Sequence, residues 1–478
     1  MEFYKGYEMV IGLEVHIELK TKTKIFCPCP TDFGGEPNTR CCPVCMGYPG
    51  TLPVLNRQVV DLAVMAGLAT NCTIARYAKQ DRKNYFYPDL PKAYQISQFD
   101  LPLCEHGWLE IESDTESSGF KKIGITRIHI EEDAGKLIHD STIGTCIDYN
   151  RAGVPLIEVV SEPDLRSAQE AVQYAQKLRS IALYTGISNC KMNEGNLRCD
   201  VNLSVRKKGA PLGTRTEIKN LNSFTFMAKA IEYEYRRQVD IIEAGGRIVQ
   251  ETRRYDQTEN KTYSMRRKEQ AEDYRYFPDP DLPPIVLSEE DIARLKAAIP
   301  ELPHEKRIRY VQDYGLSSED AFKLTENKEI SDYFEKCVIM SKQPKITVNL
   351  LTNDVFSRMN PENQAFCISP VQIASLSNMV ADQVINSSTA KKVLQEIWNT
   401  EKAPEDVVAA QQLAQINDEN VLREVVHAVL SANGQSVSDY KKGKTAAAKS
   451  LMGQAMAKTK GKANPVILQR LMDEVLNQ

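Results

Sequence analysis

The sequence predicts an α+β fold in which a mixed-sheet domain precedes two helical ones. Three observations carry this. Residues 9–19 and 197–205 alternate apolar and polar side chains with period two, the pattern of half-buried strands. Prolines then cluster at Pro278, Pro280, Pro283 and Pro284, and beyond them strand signals give way to charged segments of helical periodicity. Finally, 478 residues at about 150 per domain allow about three domains. The composition shifts place boundaries near 292 and 405, dividing the chain into 1–292, 293–405 and 406–478.

In the first strand Val15, Ile17 and Leu19 share one face, and Glu14, His16 and Glu18 share the other. In 197–205, Leu197, Cys199, Val201, Leu203 and Val205 oppose Arg198, Asp200, Asn202 and Ser204. Residues 123–132 and 156–160 read as further strands. A helix is predicted over 167–184: Ser167 with Glu170 forms a capping box, Val172, Ala175, Leu178, Ile181 and Ala182 make its buried stripe, and Gly186 suits its end. A second helix runs over 223–244 and stops at Gly245-Gly246.

No apolar run approaches the roughly 20 residues of a membrane helix, and the N-terminus has no signal-peptide pattern, so the expectation is a cytoplasmic protein without membrane contact. The net charge of -4 confines any nucleic-acid surface to a local patch. Five of the twelve cysteines fall between Cys27 and Cys45, which speaks for metal rather than a disulfide scaffold. Cys27-Pro-Cys29 and Cys42-Pro-Val-Cys45 each supply two corners of a tetrahedron, as structural zinc requires. Cys41 is left out because Cys42 and Cys45 have the CPxC spacing. The alternative is a set of buried, unligated thiols.

Glu14 and His16 point the same way from one strand and suit a divalent ion, or simply an exposed strand face. Glu131, Glu132 and Asp133 end an apolar strand. Glu158 is a lone carboxylate in an apolar run, which is costly unless it is paired or binds a cation. Asp200 and Asn202 add another polar face. Acids gathered from several strand ends make an open magnesium site that retains positions for phosphate oxygens. Lys83 and Lys92, around the aromatic loop 84–88, and Lys219 with Asn220 are the candidates to bind a nucleotide. Tyr274-Arg275-Tyr276-Phe277 repeats the aromatic-plus-arginine theme, suited to stacking on a base. The nearest approach to a phosphate loop, SDYKKGKT at 438–445, lacks the first glycine and a preceding strand and is rejected; GxSxG and Ser-Ser-Lys amidase patterns are absent.

Several long blocks together resemble the family of B subunits of the tRNA-dependent amidotransferase: VIGLEVH at 10–16, FGGEPN at 33–38, DRKNYFYPD at 81–89, KAYQISQFD at 92–100, EEDAGK at 131–136, KNLNSF at 219–224 and YRYFP at 274–278. The resemblance spans essentially the whole chain, with the blocks in order. It implies a catalytic cradle domain, a helical domain and a small YqeY-like tail domain. It implies a heterotrimer with subunits A and C, in which A releases ammonia from glutamine and a channel delivers it to B. There ATP phosphorylates the side-chain carboxylate of mischarged Glu-tRNA(Gln) or Asp-tRNA(Asn), and ammonia displaces the phosphate. It carries magnesium onto Glu14, His16, Glu132 and Glu158, with Asp200 as an additional ligand, and zinc onto Cys27, Cys29, Cys42 and Cys45. The choice of Glu132 over Glu131 rests on family position, although adjacent strand residues point oppositely. A non-catalytic RNA-binding assembly protein and a magnesium-dependent nuclease are the competing readings.

Between 441 and 462 there are seven lysines and no acid: Lys441, Lys442, Lys444, Lys449, Lys458, Lys460 and Lys462. Leu451, Met452 and Met456 provide a buried face for a helix there. Lysines hold phosphates without reading sequence, and the resemblance implies a tail domain that contacts the tRNA elbow. Ending the chain after Ala410 is therefore expected to weaken tRNA binding steeply while sparing the glutaminase of the complex. Equal affinity at moderate salt in a filter-binding assay overturns that expectation.

Overall fold

A computed structural model describes residues 4–476, apart from 114–115, 117–118, 141, 268–273, 360–365 and 442–445. The chain divides into two compact units, 1–303 and 304–478. The first is built on a nine-stranded mixed sheet. Its strands in chain order are β1 (Tyr7–Glu18), β2 (Thr73–Ile74), β3 (Cys104–Glu112), β4 (Phe120–Glu132), β5 (Pro155–Ser161), β6 (Leu197–Lys207), β7 (Thr216–Lys219), β8 (Glu251–Asp256) and β9 (Lys261–Arg267). Their spatial order is β9-β8-β7-β6-β1-β5-β4-β3-β2, antiparallel throughout except for the β7–β8 pair. The strand nearest the N-terminus is thus central, paired on one side with β5 and on the other with β6.

One face of the sheet packs against helices α1 (Arg57–Ala69), α2 (Ala168–Tyr184) and α3 (Phe224–Glu243). Ile11, Leu13, Val15 and Ile17 of β1, with Val201 and Leu203 of β6, lie in this core, each at most 1% exposed. Ser167 caps α2, accepting from the Glu170 amide at 3.0 Å. The reciprocal half of the predicted capping box is missing. The Glu170 carboxylate accepts instead from the Arg166 amide at 2.7 Å and from Lys121 at 2.8 Å, because the neighbouring strand offers a cation. Gly186 takes φ +71° just past the helix, where a side chain would be strained.

A boundary at 292 would fall inside the helix Glu289–Ala298, whose Ile292 and Leu295 join the first core. The second unit is helical and contains two apolar clusters. One runs from Tyr310 to Val408, around Phe334, Leu351, Ile373 and Leu394. The other runs from Leu422 to Leu476, around Val426, Leu451, Leu468 and Met472.

A buried ion network ties α3 to the strands at one sheet edge. Glu234, fully buried, accepts from Thr216 at 3.0 Å, Thr262 at 2.8 Å, Gln238 at 3.1 Å and Arg237 at 2.6 Å, and lies 3.3 Å from Arg253. Burial opposes the charge on Glu234, but Arg237 and the bonds from Gln238 and Thr262 outweigh it and hold its pKa below the ordinary glutamate value. Such a contribution is complete above the unfolded pKa and is lost as pH falls through the lower folded one. Glu234→Ala leaves Arg253 buried without this partner. It is expected to cost about 3–5 kcal/mol at neutral pH, read by urea unfolding of the first unit through Trp108 in a Trp398→Phe background.

Candidate functional site

The pairing registers decide which polar side chains meet. On β1, His16 stands opposite Glu158 of β5 on one side and Arg198 of β6 on the other. Glu14 stands opposite Asp200, and Glu158 stands opposite His129 of β4. Leu156 stands opposite Glu131. Directly opposed residues share a face, so four strands deliver these groups to the side of the sheet away from the three helices.

Two clusters result. In the first, donor atoms of His16, Glu131 and Glu158 lie within 4.8 Å of one another. His16 Nε2 is 3.3 Å from Glu158, and His129 Nε2 is 3.2 Å from Glu131 and 3.7 Å from Glu158. Ser97 donates to Glu131 at 3.1 Å, and the Gln95 amide also bonds it. Burial works against ionisation of Glu131 and Glu158. The charge of Lys83 and contacts with His129 outweigh it at Glu131; His129, His16 and Lys83 do so at Glu158, and both carboxyls are held below the ordinary range. Reciprocally, burial opposes a charged Lys83, but Glu131, Tyr276 and Glu158 hold its pKa above the ordinary lysine value. His16 is likewise raised, burial being outweighed by Glu158. Carboxylate oxygens of Glu131 and Glu158 and a ring nitrogen of His16, from three strands, fit a divalent cation.

The second cluster is Glu14, Asp200 and Glu217, again with donor atoms within 4.8 Å. Here Lys219 supplies the cation, bonding Asp200 directly and standing 3.0 Å from Glu217. Burial, then Glu158 and Glu217, pushes the Glu14 carboxyl up, although it accepts from Asn202 at 2.8 Å. The five magnesium candidates therefore do not form one group: His16 and Glu158 fall in the first, Glu14 and Asp200 in the second.

Glu132 belongs to neither. The carboxylate brought to His16 and Glu158 is Glu131, not the Glu132 expected from family position. Strand parity turns Glu132 to the face of Ile130, where it accepts from Lys92 at 2.5 Å and from the Ile96 amide at 2.8 Å. Lys92, paired there, does not line the cavity that holds the other nucleotide candidates. The other three, Lys83, Lys219 and Asn220, line a cavity of about 790 Å³ together with His16, Glu131 and Asp200. Arg198, bonded to Asp133 at 2.5 Å, adds a cation to its wall. The YRYFP segment pairs with the strand bearing Lys83, and the Lys83 ammonium sits 5.2 Å from the Tyr274 ring centre.

The sulfurs of Cys27, Cys29, Cys42 and Cys45 also lie within 4.8 Å of one another, close to the roughly 3.8 Å expected between thiolates on tetrahedral zinc. Cys41 is not one of this group of four, and its thiol lies 3.8 Å from Asn150 Oδ1. In the second unit, the helix Ala446–Lys458 exposes Lys449 and Lys458, Lys460 is exposed, and Lys462 is half-buried. Lys442 and Lys444 lie outside the described residues, as does the side chain of Lys441.

His129, Glu217 and, as a cation of the cavity wall, Arg198 are site groups that the sequence does not single out. The parity of β4 carried a signal for the first: His129 and Glu131 alternate with Ile128 and Ile130. Glu131→Ala is expected to abolish Mn²⁺ binding at the first cluster in isothermal titration, and Glu132→Ala to leave it within about threefold of wild type. Equal losses in both variants overturn the assignment of Glu131.

Comparison with known proteins agrees with the sequence blocks. The model of the family described as "GatB/GatE catalytic domain" matches residues 9–293, and that described as "GatB domain" matches 332–476. The chain is 54% identical to the B subunit of aspartyl/glutamyl-tRNA(Asn/Gln) amidotransferase from Caldicellulosiruptor saccharolyticus, over 99% of both chains. It is 54% identical to the protein of that name from Thermoanaerobacter pseudethanolicus, over 99% of this chain and 100% of the relative. For Brevibacillus brevis the identity is 49%, over 98% and 99%. With both family models matched in order and full-length identity near one half, the chain belongs to the GatB/GatE family of amidotransferase B subunits.

Proposed function

We propose that this chain is the part of a tRNA-dependent amidotransferase that activates the side-chain carboxylate of Glu-tRNA(Gln), Asp-tRNA(Asn) or both. The cavity lined by His16, Glu131 and Lys83, with the Glu158 carboxylate within 4.8 Å of the first two, carries this reading. A carboxylate is a poor electrophile. Transfer of the ATP γ-phosphoryl to one of its oxygens releases ADP and creates a leaving group. Ammonia then attacks the carbonyl carbon, phosphate departs with the C–O bonding pair, and a proton lost from nitrogen completes the amide.

His16, Glu131 and Glu158 would hold magnesium, which when bound neutralises phosphate charge. Lys83 and Arg198 orient and neutralise phosphate oxygens from the cavity wall, and Lys219 does so once drawn from Asp200. Asn220 offers a neutral contact. Water would hydrolyse the acyl phosphate, so the reaction requires that the site be shielded from it. Ammonia must come from a glutaminase, since no amidase motif is present in this sequence; subunits A and C of a heterotrimer fill that need. The basic tail, with Lys449, Lys458 and Lys460 exposed, serves the tRNA, and the four clustered cysteines hold structural zinc. The cytoplasm is the place of action. A non-catalytic RNA-binding protein would have no use for buried carboxylates facing a cationic cavity.

Co-expression with candidate A and C subunits tests the reading. Wild type is expected to convert Glu-tRNA(Gln) or Asp-tRNA(Asn) to the amide with ATP consumption that depends on the mischarged tRNA. Glu158→Gln is expected to lose that consumption by at least about a hundredfold while glutaminase persists. A wild type that binds tRNA but converts neither substrate favours the RNA-binding reading.

A further inference from the structure

Lys24 is fully buried, yet it has no ion pair with a carboxylate among the described residues. Its ammonium lies 3.6 Å from Cys45 Sγ and donates to the Tyr149 carbonyl at 3.3 Å. Glu132, which also approaches Gly153, forms its ion pair with Lys92 instead. An ammonium taken out of water without a counter-charge costs several kcal/mol, and the group in contact with Lys24 that can carry negative charge is the sulfur cluster. Four thiolates around a divalent zinc leave a net charge of about −2. Four neutral thiols leave none.

Tyr149 belongs to a segment that borders the cavity. Asp148, Asn150 and Arg151 line it, as do Asp32, Phe33 and Arg40 from the loop between the two cysteine pairs. The two segments are stitched through polar contacts. Asn38 donates to Asp148 at 3.0 Å and to the Ile147 carbonyl at 2.9 Å, and accepts from the Tyr149 amide at 2.7 Å. The Arg40 amide donates to Asn150 at 2.8 Å. Residues 32–39 are exposed and contain no regular secondary structure, so their order rests on these bonds and on the cluster that anchors both ends. Gly153, at φ +80°, closes the far end, where a side chain would approach both Lys24 and Cys45.

We propose that Lys24 is the counter-charge of a metal–tetrathiolate cluster and a positioning residue. Through Tyr149 it ties metal occupancy to the order of the cavity wall at 30–41 and 147–153. The inference rests on the zinc reading above. It gives the metal a role in shaping the nucleotide cavity from outside it, because Lys24 touches both the cysteine cluster and the 147–153 segment.

The test uses the full-length chain, wild type and Lys24→Met, which keeps an unbranched side chain one atom shorter and removes its charge. Metal analysis of wild type comes first and is expected to give about one zinc per chain. A wild type purified without chelators that carries no metal overturns the zinc reading and this inference with it. In the loaded proteins, Lys24→Met is expected to release zinc to a chromogenic chelator at least tenfold faster. It is also expected to shift the sulfur-to-metal charge-transfer band of the cobalt-substituted protein, while retaining the tetrahedral d–d bands. Unchanged release and an unchanged band overturn the role of Lys24 alone. Should the variant fail to fold, wild type supplies the second arm. Chelation of its metal is expected to raise hydrogen exchange at 30–41 and 147–153 while β1 and β6 stay protected, and unchanged exchange at 147–153 overturns the coupling.

Discussion

Everything at the candidate site depends on the register in which β1 lies between β5 and β6. Side chains alternate along a strand, so a slip of one residue would move Glu14, His16 and Glu18 to the helix side and turn Ile11, Leu13, Val15 and Ile17 out of the core. Burial of those four apolar residues therefore fixes the position of the acids. The same apolar pattern that drives the core aims His16 at Glu158 and Glu14 at Asp200. Neither neighbour of β1 is adjacent to it in sequence; β5 and β6 arrive about 140 and 180 residues later.

Charge balance then sorts the polar face. Carboxylates that end within reach of a lysine are neutralised by it: Glu132 by Lys92, and Asp200 with Glu217 by Lys219. What distinguishes Glu131 and Glu158 is that their neighbours are imidazoles and an ammonium, Lys83, that stands off rather than in salt-bridge contact. Their carboxyls are held below the ordinary range although buried, and Glu131 lines the cavity. That arrangement leaves capacity for a cation and for phosphate oxygens, which a closed salt bridge does not. The aromatic residues Tyr85, Tyr274 and Tyr276 pack around Lys83 and restrict where its charge points.

The cavity is bounded on another side by segments with little apolar burial of their own. Residues 32–39 are exposed, and their contacts to 147–150 are hydrogen bonds that water could replace. The cysteine cluster brings both ends of that loop within a few ångströms of each other. Apolar burial does the corresponding work in the second unit. There Leu451, Ala455 and Ala463 occupy the buried side of the basic stretch, which leaves Lys449, Lys458 and Lys460 toward solvent.

The sequence by itself determined the strands β1, β4, β5 and β6, the helices α2 and α3, the two cysteine pairs, the family blocks and the basic tail, because each is written in local spacing: period two, period 3.6, or a short motif. The helix after Ser167, the polar face of β1 and the alternation of β6 all follow from neighbours a few residues apart. Only the tertiary structure decided which carboxylates meet. Glu131 and Glu132 are adjacent and chemically alike, and what separates them is the pairing of β4 with β5, which turns one toward His16 and Glu158 and the other toward Lys92. The separation of Glu14 and Asp200 from His16 and Glu158 likewise came from strand order, and the placement of Lys24 against Cys45 from a loop closure. Contacts between residues far apart in sequence depend on register and topology, and these are set by the packing of the whole sheet rather than by any local pattern.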